Sequence, residues 1–239
     1  MQCKVGFMIP PTLGLWQIDR NLFLNYFSHS HRFLDDPYFV AGTAVPDWLS
    51  VVDRKVRARK HLAEPFMADC DPIVASVAGG IVQHHKDDDW FHRSRNFVEL
   101  SLNFTVQLRD LLAPDDSLRP SFLGHILVEL LLDDWLIQAH PDRIARYYSI
   151  MDELDAGLIQ RIVNRMATKQ TAHLQTMIGI FCRERFLYDY HEDDQLLVRL
   201  NQVMRRVRLP ALPASFTDWL PTARVAVNEQ AADLLTAPV

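Results

Sequence analysis

Apolar residues recur at three- and four-residue intervals through most of the chain, the spacing that puts them on one face of an α-helix. No run of Val, Ile and Thr alternates with polar residues as a half-buried strand would, and only eight Gly interrupt the pattern. The pattern predicts a first helix from about Asp19 to Leu34, with Asp19 as its cap. Asp36-Pro37 opens a short helix that should end near Val45-Pro46, because a residue before Pro is pushed out of the helical region. Asp71-Pro72 is a start signal, a capping Asp followed by Pro at the first helical position. That helix should run to about Lys86, with a continuation through Asp87-Asp88-Asp89 to Leu112 left open, and Pro114-Asp115-Asp116 closes the segment. Arg119-Pro120 opens the next helix, which stops before His140, and Pro141 opens another. Further helices fill about 155–167, 169–187 and 192–207. The expected architecture is an all-α, single-domain helical bundle over residues 1–209. Pro210 and Pro213 then introduce an arm, 210–239, with a short helix from about Pro221 to Leu235.

One helix breaks the usual amphipathic pattern. From Phe122 to Ile137 it is apolar on nearly all sides, with Ile126, Leu127, Val128, Leu130, Leu131 and Leu132 in a row. Such a helix is normally buried. His125, Glu129 and Asp133 are nevertheless spaced four apart within it, one turn above each other. A buried carboxylate must be paired, neutralised or bound to a cation. His84, Asp88 and His92 form a second ladder with the same spacing, provided the preceding helix continues that far. Two ladders of His and carboxylate facing each other across a bundle are how helical proteins build metal sites. A mixed imidazole and carboxylate set suits Zn, Mn, Fe or Mg better than a thiolate-type site does.

Composition narrows the function classes. The 239 residues include 49% hydrophobic and 23% charged side chains, the range of a globular chain. A net charge of -5 argues against a nucleic-acid partner, since such binders are usually basic. Ten His are available as ligands. Cys3, Cys70 and Cys182 are odd in number and far apart, which argues against a disulfide framework or a zinc ribbon and fits reduced thiols in the cytoplasm. The N-terminus lacks the long apolar core of a signal peptide, and no stretch reaches the ~18 uncharged apolar residues of a transmembrane helix.

Four segments, taken in order, resemble a known group of enzymes. Asn25-x-x-x-His29, Gly42-x-x-x-x-Asp47, Gly80-Ile81-x-x-His84-x-x-x-Asp88 and Glu129-x-x-x-Asp133 resemble the acyl carrier protein phosphodiesterases, which are similar to the HD phosphohydrolases. Gly42-x-x-x-Pro46-Asp47 and Gly124-His125-x-x-x-Glu129 also look like segments of the helical zinc-dependent phospholipase C-like proteins. The matching stretches lie within residues 25–136. The chain departs from the phosphodiesterase pattern at His85, where that group has Arg, near Phe91-His92, and at Asp133-Asp134.

The resemblance implies an HD- or phospholipase C-like helical fold and a divalent metal-dependent phosphoester hydrolase, with an acidic carrier protein or a phospholipid head group as possible substrate. It implies a metal set of His29, Asp47, His84, Asp88 and His125, completed by Glu129 or Asp133. Glu129 is the expected general base, with Asp133 close behind, and His85 or His92 would protonate the leaving alkoxide. Arg54, Lys55, Arg57, Arg59 and Lys60 are either a phosphate-binding run or a solvated basic face.

Two other readings compete. Asp87-Asp88-Asp89 superficially fits an isoprenoid-synthase-like helical enzyme, but the Asp-Asp-x-x-Asp of those enzymes would read Asp88-Asp89-Trp90-Phe91-His92. The other is a non-catalytic helical interaction protein, in which the polar ladders only specify packing. Its mark would be direct His–carboxylate pairing with no open coordination position.

Overall fold

The computed structural model describes residues 25–112 and 116–236. Every regular element among them is helical, and twelve are α-helices. In chain order these are α1 (Tyr26–Ser30), α2 (Pro37–Val52), α3 (Lys60–Ala63), α4 (Pro72–Phe91), α5 (Arg95–Leu111) and α6 (Pro120–Ala139). They continue with α7 (Pro141–Glu153), α8 (Ala156–Val163), α9 (Leu174–Glu184), α10 (Asp193–Arg206), α11 (Leu220–Asn228) and α12 (Ala231–Leu234). The fold is all-α, and no helix among the described residues is long and apolar enough to cross a membrane.

The sequence signals place most of the helix starts. Asp36 accepts a hydrogen bond from the Phe39 amide at 3.0 Å and Asp71 one from the Ile73 amide at 2.9 Å. Each cap precedes a Pro whose missing N–H costs nothing at that position. Pro120 and Pro141 open α6 and α7 in the same way.

Three boundaries differ from expectation. Helix α2 does not end at Pro46 but runs through it to Val52. An interior Pro costs about 3 kcal/mol, yet Trp48 and Leu49 beyond the expected stop are fully buried, and their packing outweighs the lost bond. Helix α4 stops at Phe91, and Ser94 starts α5 afresh by accepting from the Phe97 amide. His92 therefore sits on the end of α4 instead of inside one long helix. The single C-terminal helix is two, α11 and α12. For the first helix, the stretch before Asn25, with Asp19, lies outside the described residues, as do Cys3 and residues 113–115.

The arm is packed onto the body. Trp219 donates its indole N–H to Gln107 of α5 at 2.8 Å. Arg224 bonds to Asp134 of α6, to Asp193 of α10 at 2.9 Å and to the Tyr190 carbonyl at 2.7 Å.

Two close helix contacts set the layout. Helices α2 and α4 touch through glycine: a Cβ at Gly80 would lie 2.1 Å from the Phe39 carbonyl oxygen, and one at Gly42 would lie 2.4 Å from that of Val77. Helices α5 and α6 meet at Gly124, where a Cβ would stand 2.7 Å from the Ser101 carbonyl oxygen. Helix α6 is enclosed around its circumference, with Ile126 to Leu132 at 2% exposure or less.

Two substitutions test this packing by urea denaturation. Gly80→Ala forces backbone apart and is expected to destabilise the protein by about 3 kcal/mol or more. Gly179→Ala in α9, where the nearest neighbour of a new Cβ is the Arg183 guanidinium at 3.5 Å, is expected to stabilise by roughly 0.5–1 kcal/mol.

Candidate metal centre

Helix α1 has only five residues and needs an external anchor. Asp133 of α6 provides it, accepting from the Phe27 amide at 2.9 Å and the Ser28 amide at 2.7 Å. A carboxylate at a helix N-terminus satisfies free amides and complements the positive end of the helix. Asp133 thus differs from its expected role: both oxygens are committed to α1, and it stands outside the ligand groups. The anchored helix presents His29 to α4.

There His29, His84 and Asp88 form one group, with one ligand atom of each within 4.8 Å of the others. His84 Nε2 lies 3.2 Å from Asp88 Oδ2, and His29 Nε2 lies 3.4 Å from Asp88 Oδ1. The two imidazole centroids are 4.3 Å apart. His92, His125 and Glu129 form a second group by the same measure. Glu129 Oε1 lies 2.8 Å from His92 Nε2 and 3.3 Å from His125 Nε2.

The ladder read from α4 is therefore divided. His84 and Asp88 belong to the first group, and His92 crosses to join the α6 pair. Glu129 and His92, expected as base and acid, are both members of this second group. His85 is turned elsewhere, with Nε2 at 2.7 Å from the Ala58 carbonyl oxygen, which places it outside both groups as a proton donor. The i, i+1 relation explains this, since residues adjacent in sequence leave a helix about 100° apart.

Asp47 is buried at 2% exposure but belongs to neither group, and its Oδ2 has no hydrogen-bond partner. The basic run engages the nearby chain: Arg54 donates to the Arg206 carbonyl at 3.3 Å, and Lys60 pairs with Glu64 at 3.9 Å.

Sequence reasoning missed Asp87, taken there only as part of an acidic run. It is buried and accepts from Arg32 at 3.1 Å, Gln83 at 2.8 Å and Trp90 at 3.3 Å, while facing His29 Nδ1 at 3.4 Å. Its position three residues after His84 was the available signal. A cavity of about 30 Å³ opens beside it, and Ser28, His29, His31, Arg32 and Asp87 contribute to its wall. Leu234 and Leu235 from the arm complete this mouth.

The charges are strongly coupled. Burial raises the Asp47 carboxyl well above the carboxylate range, and the Asp88 charge adds to this. Burial alone would lower His29, but Asp87 and Asp88 outweigh it and raise the imidazole to about 10. Burial also lowers His84, more than Asp88 raises it, which favours the neutral imidazole that binds metals. For Glu129, burial pushes upward, and His125 and His92 bring the carboxyl below its usual value.

The site fits a cation on independent grounds. His29 Nε2, Asp47 Oδ2, His84 Nδ1, Asp88 Oδ1 and Glu129 Oε2 are all buried without a hydrogen-bond partner. Buried polar atoms are nearly always satisfied, so this concentration marks a place where other valences are to be filled. The fold and site thus define an all-α protein with two neighbouring His/carboxylate groups positioned to hold metal. Compared with protein-family models, curated proteins and solved structures, the chain matches none of them.

Asp133→Ala leaves the buried Phe27 amide and the half-buried Ser28 amide without acceptors and is expected to destabilise the protein by about 2 kcal/mol or more. Burial raises the Asp133 carboxyl from 3.8 to about 7 despite the two amides. The native state then holds this proton more tightly than the unfolded chain, so the group's contribution is complete below pH 3.8 and is lost as pH rises through about 7. The stability gap between wild type and Asp133→Ala, measured by denaturation at several pH values, should narrow across that window.

Proposed function

We propose that this protein is a metal-dependent phosphoester hydrolase of the phosphodiesterase type, with one divalent ion in each His/carboxylate group. The observation that carries the reading is the convergence of His29, His84 and Asp88, and of His92, His125 and Glu129, into two groups whose ligand atoms lie within 4.8 Å of one another. The resemblance of the segments around Asn25, Gly42, Gly80 and Glu129 to acyl carrier protein phosphodiesterases and phospholipase C-like proteins supplies the reaction class.

His29, His84 and Asp88 would hold one ion, and His92, His125 and Glu129 the other. Divalent ions in such sites polarise a phosphoryl oxygen and lower the pKa of bound water towards neutrality. The protein's own groups do the rest. Asp47 has a free carboxyl oxygen, and burial favours its protonated form, so it would give up that proton as a cation binds beside it. Arg32, in the mouth of the cavity, is held by Asp87 at 3.1 Å and would share its charge between that carboxylate and an incoming phosphoryl group. Burial and the Arg32 charge lower His31 to about 4, which leaves it neutral at pH 7 and able to donate or accept a hydrogen bond at the mouth.

A second reading has its own observation. The 2.8 Å contact between His92 and Glu129 shows that these groups pair directly, as in a helical interaction protein whose buried network only specifies packing. Metal content separates the two. Plasma mass spectrometry of untagged protein is expected to find about two equivalents of Zn, Mn or Fe. His84→Ala and Asp88→Ala should lose one equivalent and His125→Ala the other. Wild-type metal content in all three variants would sink the ligand assignment. Hydrolysis of bis(p-nitrophenyl) phosphate should stop on chelation and return when metal is restored. A metal-loaded protein inert towards phosphodiesters would leave the metal site standing and overturn the hydrolase.

A further inference from the structure

The imidazole of His29 stands between two consecutive carboxylates of α4. Its Nδ1 hydrogen-bonds with Asp87 Oδ2 at 3.4 Å. On the other side of the ring, Nε2 faces Asp88 Oδ1 at the same distance, 3.4 Å, and both of these atoms are buried without a hydrogen bond. The two carboxylates are therefore not equivalent, although they are neighbours in sequence.

Asp87 is fixed from several sides. Its Oδ1 accepts from Gln83 at 2.8 Å and from Trp90 at 3.3 Å, one turn away on either side along α4. Arg32, just beyond α1, donates to Oδ1 at 3.1 Å and to Oδ2 at 3.3 Å. With His29 these residues use up the lone pairs of the carboxylate, of which there are about four. Asp87 has no valence left for a cation, and it belongs to neither ligand group. Asp88 Oδ1 has such a valence, and Asp88 belongs to the first group with His29 and His84.

We propose that Asp87 is a positioning residue for the first metal group: it accepts a hydrogen bond from Nδ1–H of His29 and so presents Nε2 to the ion beside Asp88 and His84. A metal takes a ring nitrogen that carries no proton, and the hydrogen bond at the other nitrogen decides which one that is. For Nδ1 to bind the ion instead, the ring would have to leave a carboxylate that Gln83, Trp90 and Arg32 hold in place. The five-residue α1 cannot fix the ring orientation of His29 by its own packing alone, and Asp87 supplies a rigid reference on the longer α4. This role rests on the metal reading above, but not on the hydrolase reaction.

The test titrates zinc into full-length, metal-free protein in competition with a chromophoric chelator. Wild type is expected to take two equivalents. Asp87→Ala should weaken one of them roughly ten- to a hundredfold and leave the other, at His92, His125 and Glu129, unchanged. Asp87→Asn keeps an acceptor oxygen and should recover part of the loss. The second group is the internal control, because general damage to the fold would weaken both equivalents, and equal weakening would overturn the role. Unchanged zinc affinity in both Asp87 variants would overturn it as well. A ¹⁵N spectrum of zinc-loaded, histidine-labelled protein, with His29 assigned from the H29Q variant, should show metal on Nε2 and the proton on Nδ1. Zinc on Nδ1 removes the proposed contact, and this spectrum decides if Asp87→Ala does not fold. Wild-type protein that takes no zinc would overturn the metal centre itself, an outcome distinct from zinc-binding wild type with indifferent Asp87 variants.

Discussion

A carboxylate taken out of water costs several kcal/mol unless something neutralises it, and this fold carries Asp47, Glu129 and Asp133 at 2% exposure or less. Each is answered differently. Asp133 is given two backbone amides, which converts its burial into the anchor of α1. Glu129 is given two imidazoles. Asp47 is left with an unpartnered oxygen beside the other charges. Asp87 and Asp88 raise His29 while burial lowers His84, so these neighbouring groups behave as one charge system. A divalent cation is a natural counter-charge for it, because it replaces several protons at once.

The arrangement depends on how closely the helices approach. Gly42 and Gly80 let α2 and α4 cross with backbone in contact, and Gly124 does the same for α5 and α6. Continuation of α2 through Pro46 belongs to the same design, since it keeps Asp47 and Trp48 on a regular helix in the core. The break at His92 has the opposite effect. It frees one imidazole from the α4 ladder and lets it reach Glu129.

The body and the arm are joined by charge as well as by packing. Arg224 ties α11 to Asp134, next in sequence to the residue that anchors α1. Leu234 and Leu235 bring the end of the arm to the mouth beside His29.

The sequence by itself determined the helical class, the caps at Asp36 and Asp71, and the burial of α6 with its His125, Glu129 and Asp133. These are local facts: residues four apart share a helix face, and a helix apolar all round must be enclosed. It also singled out His84 and Asp88 by their four-residue spacing, and His29 through the resemblance of the segment that carries it. Only the tertiary structure decided which ladder members meet. Asp133 could be recognised as an anchor only once α1 was seen against α6, and His92 as a partner of Glu129 only once α4 was seen to end. Asp87 became visible only when the distant His29 and Arg32 were seen against it. Spacing fixes the face a side chain leaves from, whereas the group that neutralises it is set by contacts between residues far apart in the chain.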